Sequence, residues 1–87
     1  MTRFELTDLT TLLRESAGED EGVDLNGEIR DVPFDDLGYD SLALLQTTGL
    51  IERQWEVVLD EEAVSEARTP GQFLEVVNHA LNARAAA

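Results

Sequence analysis

The sequence predicts an all-α fold: a small four-helix bundle with three main helices, one short helix and a long first loop. Apolar residues recur at three- and four-residue spacing in three segments, and no segment shows the alternation of a strand. The chain has 87 residues and no cysteine, so one modest core must rest on apolar packing alone. We therefore treat residues 1–87 as a single domain.

The first predicted helix is the segment LTDLTTLLRESAG, residues 6–18. Thr7 is a candidate N-cap with Asp8 in the first turn, and Gly18 is a candidate stop. The expected buried stripe consists of Leu6, Leu9, Leu13 and Ala17. This spacing places the stripe on one face of the helix, against the rest of the bundle.

Residues 18–40 form the predicted long loop. They include four glycines and nine acidic residues, as a flexible linker would. Unlike a linker, however, they also contain apolar residues at intervals. The expected anchors to the core are Val23, Leu25, Ile29, Val32, Phe34 and Leu37. Loops of this length in a compact domain are commonly functional, so we expect an ordered loop close to a site.

The second predicted helix begins at Ser41 and ends between Trp55 and Val57, and it has two apolar faces. The face expected to meet the core consists of Leu44, Thr48, Ile51 and Trp55. The other consists of Leu42, Leu45 and Gly49, with Gln46, Glu52 and Glu56 near its edges. A bundle helix needs only one buried face, so this second face either lies beneath the long loop or is exposed to a partner, with Leu45 and Gly49 as the exposed pair.

Two further helices follow. Asp60 is a candidate cap for a short third helix in LDEEAVSEA. In TPGQ, Thr69 is the expected N-cap of the last helix, Pro70 its first residue and Gln72 the partner in a capping box. The buried stripe of that helix is predicted to be Phe73, Val76, Val77, Ala80 and Leu81.

The net charge of −13 comes from nineteen acidic residues against six arginines. Such a chain will not bind nucleic acid, and its acidity either serves solubility or steers a partner with basic patches. No segment approaches the ~20 apolar residues of a membrane span, and the opening MTRFELTDL has no long apolar run behind its single arginine, so we expect no targeting segment. We expect a soluble cytoplasmic protein that does not bind membranes.

Ser41 is the most informative single residue. Either Ser41 caps the second helix, or Asp40 does and Ser41 is the first helical residue. Catalysis by Ser41 is disfavoured, because the one histidine, His79, has no acid beside it to orient it. A metal site is disfavoured too, since DLNGEIRDVPFD has isoleucine where a calcium loop needs glycine. A helix start does favour an anion, and so a tether for a phosphate-linked group.

The stretch LGYDSLALL, residues 37–45, resembles the prosthetic-group attachment motif of acyl carrier proteins, in the form found in bacterial type II aromatic polyketide synthases. The segments DLTTLLRESAGE, IERQWEVVLDEE and TPGQFLEVVNHAL follow in that family's order. This resemblance implies that a phosphopantetheinyl transferase attaches 4'-phosphopantetheine from coenzyme A to Ser41. It further implies that the thiol of this arm carries acyl groups, and that the protein itself catalyses nothing.

The resemblance assigns roles to several residues. Asp40 matches an acid used by the transferase, Leu42 a leucine at the base of the arm, and Glu52 an acid on the partner-facing side. Gln46 departs from the resemblance, because the family commonly has glutamate there, and so removes a charge from the docking face. The expected partner-binding residues are Leu45, Gln46, Gly49, Glu52 and Glu56. Asn78 either hydrogen-bonds loop backbone or contacts the carried acyl chain.

The function that follows is a monomeric carrier of malonyl units and growing polyketide intermediates. Its expected partners are the transferase, a malonyl transferase, the ketosynthase/chain-length-factor pair, a ketoreductase and cyclases. A carrier for fatty acid or another acyl pathway is the alternative within the class. The alternative from another class is an acidic adaptor or calcium-responsive protein in which Ser41 only caps a helix.

Overall fold

The computed structural model describes residues 3–17 and 28–86, and this part of the chain contains four helices and no strand. The helices are α1, Leu6–Ala17; α2, Ser41–Trp55; α3, Glu61–Glu66; and α4, Pro70–Ala86. The predicted all-α class and order of helices are therefore confirmed. The predicted helix stop at Gly18 and the loop anchors Val23 and Leu25 lie outside the described residues.

Helix α1 begins in a different way from the one predicted. The Glu5 N–H donates to Asp8 Oδ2 at 2.9 Å, and the Leu9 N–H donates to the Glu5 carbonyl at 3.1 Å. Thr7 therefore lies inside the first turn, where its carbonyl accepts a hydrogen bond from the Thr11 hydroxyl. The Thr7 cap was wrong because the Asp8 carboxylate reaches back to the free amide of Glu5 and so fixes an earlier start.

The core lies where α1, α2 and α4 meet. Its most deeply buried apolar residues are Phe4, Leu9, Leu13, Ile51, Phe73, Val77 and Leu81. On α4, Val76 and Ala80 are only partly buried, whereas Leu74 is buried although the prediction omitted it. Leu74 lies one turn before Asn78, whose side chain binds the backbone of Phe4, so the N-terminal segment covers this side of the helix.

The buried face of α2 differs in part from the prediction of Leu44, Thr48, Ile51 and Trp55. Thr48 and Ile51 are buried, but the other two are partly exposed. Ala43 and Thr47 are buried instead. The Thr47 hydroxyl donates to the Ala43 carbonyl at 2.9 Å and lies 2.7 Å from Ser16 Oγ on α1. Because these bonds satisfy it, a polar residue can sit at the interface of α1 and α2.

The described part of the long loop is anchored to the junction of α3 and α4. The Phe34 N–H donates to the Arg68 carbonyl and the Gly71 N–H donates to the Arg30 carbonyl, both at 2.8 Å. The ring of Phe34 meets that of Phe73 edge-on, with centroids 6.0 Å apart. Three predicted anchors are buried: Ile29, Phe34 and Leu37. These contacts hold the loop in a fixed position where it leads into α2.

The caps of α3 and α4 follow the predictions. The Asp60 side chain accepts from the Glu62 N–H at 3.0 Å and the Thr69 hydroxyl accepts from the Gln72 N–H at 3.2 Å. The Gln72 side chain reaches back as expected, but it accepts from the Arg68 N–H at 2.7 Å rather than from the cap residue itself. No helix in the described ranges is both long and apolar enough to cross a membrane.

Candidate functional site

Ser41 is exposed at the first position of α2. Asp40 is the N-cap: its backbone is extended and its Oδ1 accepts from the Ala43 N–H at 2.9 Å. Of the two capping arrangements that the sequence left open, the structure therefore has the second. Within the described part of the chain no hydrogen bond involves the Ser41 hydroxyl, so capping does not explain this serine.

The turn before α2 separates a buried residue from two exposed ones. Gly38 has a φ of 85°, a left-handed conformation that glycine adopts without a steric cost. Tyr39 follows it, is buried, and donates its N–H to the Phe34 carbonyl at 3.0 Å. The chain then emerges at Asp40 and Ser41. This turn therefore holds the serine at the surface while anchoring the residue two positions earlier.

The start of α2 fits an anionic phosphodiester. The first N–H groups of a helix have no intrahelical partner, and the helix dipole places a partial positive charge there. The Asp40 side chain accepts from the Ala43 N–H, and the Leu44 N–H donates to the Asp40 carbonyl. Among the described residues, the N–H groups of Ser41 and Leu42 therefore have no hydrogen-bond acceptor. Covalent attachment of a phosphate at the exposed hydroxyl would place its charge beside these groups.

The second apolar face of α2 is exposed. Leu42 is 61% exposed and Leu45 is 63% exposed, and Gln46 is also at the surface. Leu45 is exposed as predicted, but Gly49, predicted to be exposed with it, is half-buried, and Leu42 is exposed instead. A Cβ built on Gly49 would meet nothing within 4 Å. We call Leu42, Leu45, Gln46 and Gly49 the exposed face of α2. Of the alternatives for this stripe, burial beneath the loop is excluded for the described residues.

The two acids predicted at the edge of this face differ in their surroundings. Glu52 is half-buried, and its Oε2 accepts from the Leu59 N–H at 2.9 Å. Glu56 is exposed and terminates α2 in a left-handed conformation, φ 51° and ψ 52°. Neither of the two carboxylates forms an ion pair with a basic side chain of the described residues; the ion pair between Arg3 and Glu5, at 3.6 Å, lies elsewhere.

Asn78 and Arg84 hold other segments of the chain. The Phe4 N–H donates to Asn78 Oδ1 at 2.8 Å, and Asn78 Nδ2 donates to the Phe4 carbonyl at 3.0 Å. This is the backbone bonding expected as one alternative for Asn78, although to the N-terminal segment and not to the loop. Arg84 Nη1 donates to the carbonyls of Trp55 and Glu56, each at 2.6 Å. The role of Arg84 was not predicted, because its only local signal is a basic residue in the last turn of α4.

The described ranges show no basis for serine catalysis or for metal binding. His79 is exposed, and no group of three His, Cys, Asp or Glu side chains there is placed to hold a metal ion. Two grooves, of about 680 and 630 Å³, lie along α4, and Ser41 lines neither of them. A reaction centre with a base beside the serine is therefore not found in the described residues.

Comparisons with known proteins agree with this geometry. The family model of the phosphopantetheine attachment site matches residues 9–77. The oxytetracycline polyketide synthase acyl carrier protein of Streptomyces rimosus is 56% identical over 81 residues, which cover 93% of this chain and 85% of the relative. The granaticin polyketide synthase acyl carrier protein of Streptomyces violaceoruber is 48% identical over 80 residues, 92% of this chain and 94% of that one.

A solved structure with a carried group extends the comparison. A 3-oxo-butyl form of the actinorhodin carrier from Streptomyces coelicolor, described as an intermediate mimic, superposes with a TM-score of 0.83 at 39% identity, covering 94% of this chain and 95% of that one. The matched region contains the exposed serine, its capping aspartate and the exposed face of α2. The chain therefore belongs to the acyl carrier proteins of type II polyketide synthases, carriers without catalysis of their own that bear a covalent 4'-phosphopantetheine arm.

Proposed function

We propose that the Ser41 hydroxyl is the attachment point of the 4'-phosphopantetheine arm, and that the chain presents malonyl units and growing β-keto chains to synthase enzymes. The observation that carries this proposal is the exposed hydroxyl at the first position of α2, which has no hydrogen bond to any described residue and whose capping role Asp40 already fills. The arm supplies a thiol that holds acyl groups as thioesters. The chain has no cysteine of its own for that purpose.

In this proposal Asp40 has two roles. Its Oδ1 holds the Ala43 N–H and so keeps Ser41 at the first position of the helix. Its Oδ2 has no described partner and is available to the phosphopantetheinyl transferase. Leu42, exposed beside the serine, offers an apolar surface to the base of the arm.

The exposed face of α2 is the proposed docking surface. Leu45 gives it an apolar centre, Gly49 permits close approach of a partner backbone, and Glu56 adds a negative charge that no described basic side chain pairs. Glu52 lies at the edge of the same surface, with one oxygen bonded to the Leu59 N–H. A net charge of −13 steers basic partners to this surface, and a small apolar contact lets them leave again.

The proposed partners are the transferase, a malonyl transferase, the ketosynthase/chain-length-factor pair, a ketoreductase and cyclases, met in turn by a monomeric cytoplasmic carrier. The β-keto cargo is supported by the 3-oxo-butyl group carried by the actinorhodin relative. Contact between Asn78 and the carried chain stays a prediction. Both polar atoms of the Asn78 side chain are bonded to Phe4, so such a contact would have to compete with those bonds.

Reconstitution tests the proposal. The carrier bearing the arm is loaded with malonyl and supplied to a type II polyketide ketosynthase pair, and polyketide formation is measured against fatty acid elongation. Leu45→Ala should slow transfer without moving the unfolding midpoint, because the side chain is 63% exposed. Val58→Ala is the matched control, since Val58 is 84% exposed but lies off α2.

Three results would contradict this proposal. Elongation by fatty acid enzymes alone would favour the fatty acid alternative. Equal rates for the two alanine variants would place the docking surface elsewhere. Charge reversal at Glu56 should slow transfer to partners at low salt. An unchanged transfer rate at low salt would show that Glu56 is not part of the docking surface. Reversal at Glu52 is a poorer probe, because it also breaks the bond to the Leu59 N–H.

A further inference from the structure

Arg84 joins the end of α4 to the end of α2. One guanidinium nitrogen, Nη1, donates to the carbonyls of both Trp55 and Glu56 at 2.6 Å. These bonds span 29 and 28 positions of the chain. They are charge-assisted bonds to carbonyls that have no partner within their own helix.

The end of α2 is a place where the backbone needs support. Glu56 is the only non-glycine residue in the described ranges with a positive φ, and a side chain makes this conformation unfavourable. The Val57 N–H donates to the Glu52 carbonyl at 3.2 Å, which closes the last turn from within. Arg84 adds two bonds from outside, and its positive charge faces the negative end of the helix dipole.

Further contacts hold the N-terminal segment against α2 and α4 at this end of the bundle. The rings of Phe4 and Trp55 meet edge-on with centroids 5.1 Å apart. Asn78 holds the backbone of Phe4 through both its polar atoms. The N-terminal segment, α2 and α4 therefore meet here, roughly 21 Å along α2 from Ser41 at about 1.5 Å per residue.

We propose that Arg84 is a positioning residue for partner docking. It fixes the backbone of Glu56, so that the C-terminal half of α2 presents a preformed charged surface to each enzyme. The inference rests on the proposed function, since it assigns Arg84 to the docking surface proposed there. Preformed surfaces bind better because fewer groups must be ordered on contact.

The test compares Arg84→Gln with Arg68→Gln. Arg68 is exposed and its side chain has no described partner, so both variants change the net charge from −13 to −14 and only one breaks the contact. Added negative charge alone strengthens attraction to a basic partner. Arg68→Gln should therefore leave the transfer rate unchanged or raise it. Arg84→Gln should raise KM for the carrier by about 2- to 10-fold with kcat unchanged, the factor expected when one side chain must be ordered on binding.

Controls distinguish a failure of this inference from a failure of the proposed function. Modification by the transferase is measured by intact mass in every variant, and failure in the wild type would refute the proposed function, not the role of Arg84. Arg84→Lys keeps the charge and a donor, so it should recover part of the loss. The amide resonances of Glu56 and Val57 should shift in Arg84→Gln but not in Arg68→Gln. Equal KM values for the two glutamine variants, or a fall in kcat alone, would overturn the inference.

Discussion

The same substitution, glycine to alanine, should have opposite effects at two positions of this chain. At Gly49, the ninth residue of α2, an added Cβ meets nothing within 4 Å. Glycine in a helix interior is less stable than alanine by about 0.5–1 kcal/mol. Gly49→Ala should therefore stabilise the fold by that amount. In a domain of this size, that corresponds to a rise in Tm of roughly 2–8 °C.

At Gly71, near the start of α4, the added Cβ would lie 2.8 Å from Arg30 Cγ and 3.0 Å from the Arg30 carbonyl oxygen. That carbonyl is held by the Gly71 N–H, so the loop cannot move without losing the bond. Overpacking of this kind costs about 1–3 kcal/mol. Gly71→Ala should lower Tm.

Thermal and urea unfolding, followed by circular dichroism, measure the stability of both variants against the wild type under identical conditions. The proposed docking surface adds a second readout at Gly49, because a methyl group there should slow transfer to partners even as it stabilises the carrier. A fall in Tm for Gly49→Ala would refute the open space at that position. A rise in Tm for Gly71→Ala would refute the close approach of the loop.

The remaining predictions concern hydrogen bonds. Asp40→Ala removes the cap of α2 and should destabilise the fold by about 0.5–2 kcal/mol, whereas Asp40→Asn keeps the accepting oxygen and should change stability little while still slowing the transferase. Asn78→Ala should cost about 1–3 kcal/mol in urea unfolding because it frees both backbone groups of Phe4; Asn82→Ala, at an exposed position of α4, is the control. Thr47→Val should cost about 0.5–1.5 kcal/mol, since the Ser16 hydroxyl loses its partner on α2, and an unchanged midpoint would contradict that contact.

Local chemistry explains which parts of the fold the sequence predicts. The caps at Asp60 and Thr69 depend on side chains that reach amides two or three residues away, so they can be read from spacing. The start of α1 was missed because Glu5, whose carbonyl accepts the first helical bond, is not a favoured capping residue type. The start is fixed instead by Asp8, which accepts from the Glu5 N–H.

Periodicity predicts the faces of a helix but not what covers them. It separated the two apolar faces of α2, yet Ala43 and Thr47 proved buried because their small side chains and satisfied hydroxyl suit a close contact with α1. It left the second face undecided between burial and exposure. Only the packed structure, in which Leu42 and Leu45 are exposed, answers that question.

Contacts between distant parts of the chain leave no signal in spacing. Asn78 and Phe4 are separated by 74 positions, and Arg84 and Trp55 by 29. The Glu52 bond to the Leu59 N–H spans only seven positions, but it forms because α2 ends between them in a left-handed turn. The exposed serine could be predicted from the sequence, because its position at the start of a helix depends only on neighbouring residues.

Intact-mass analysis after incubation with coenzyme A and a broad-specificity phosphopantetheinyl transferase tests the central claim most directly. Ser65→Ala is the matched control, because Ser65 is also exposed but lies inside α3 with its hydroxyl bonded to the Glu62 carbonyl. The wild type and Ser65→Ala should each gain the mass of one 4'-phosphopantetheinyl group, and Ser41→Ala should gain none. No added mass on the wild type, or an added mass that persists in Ser41→Ala, would contradict the account.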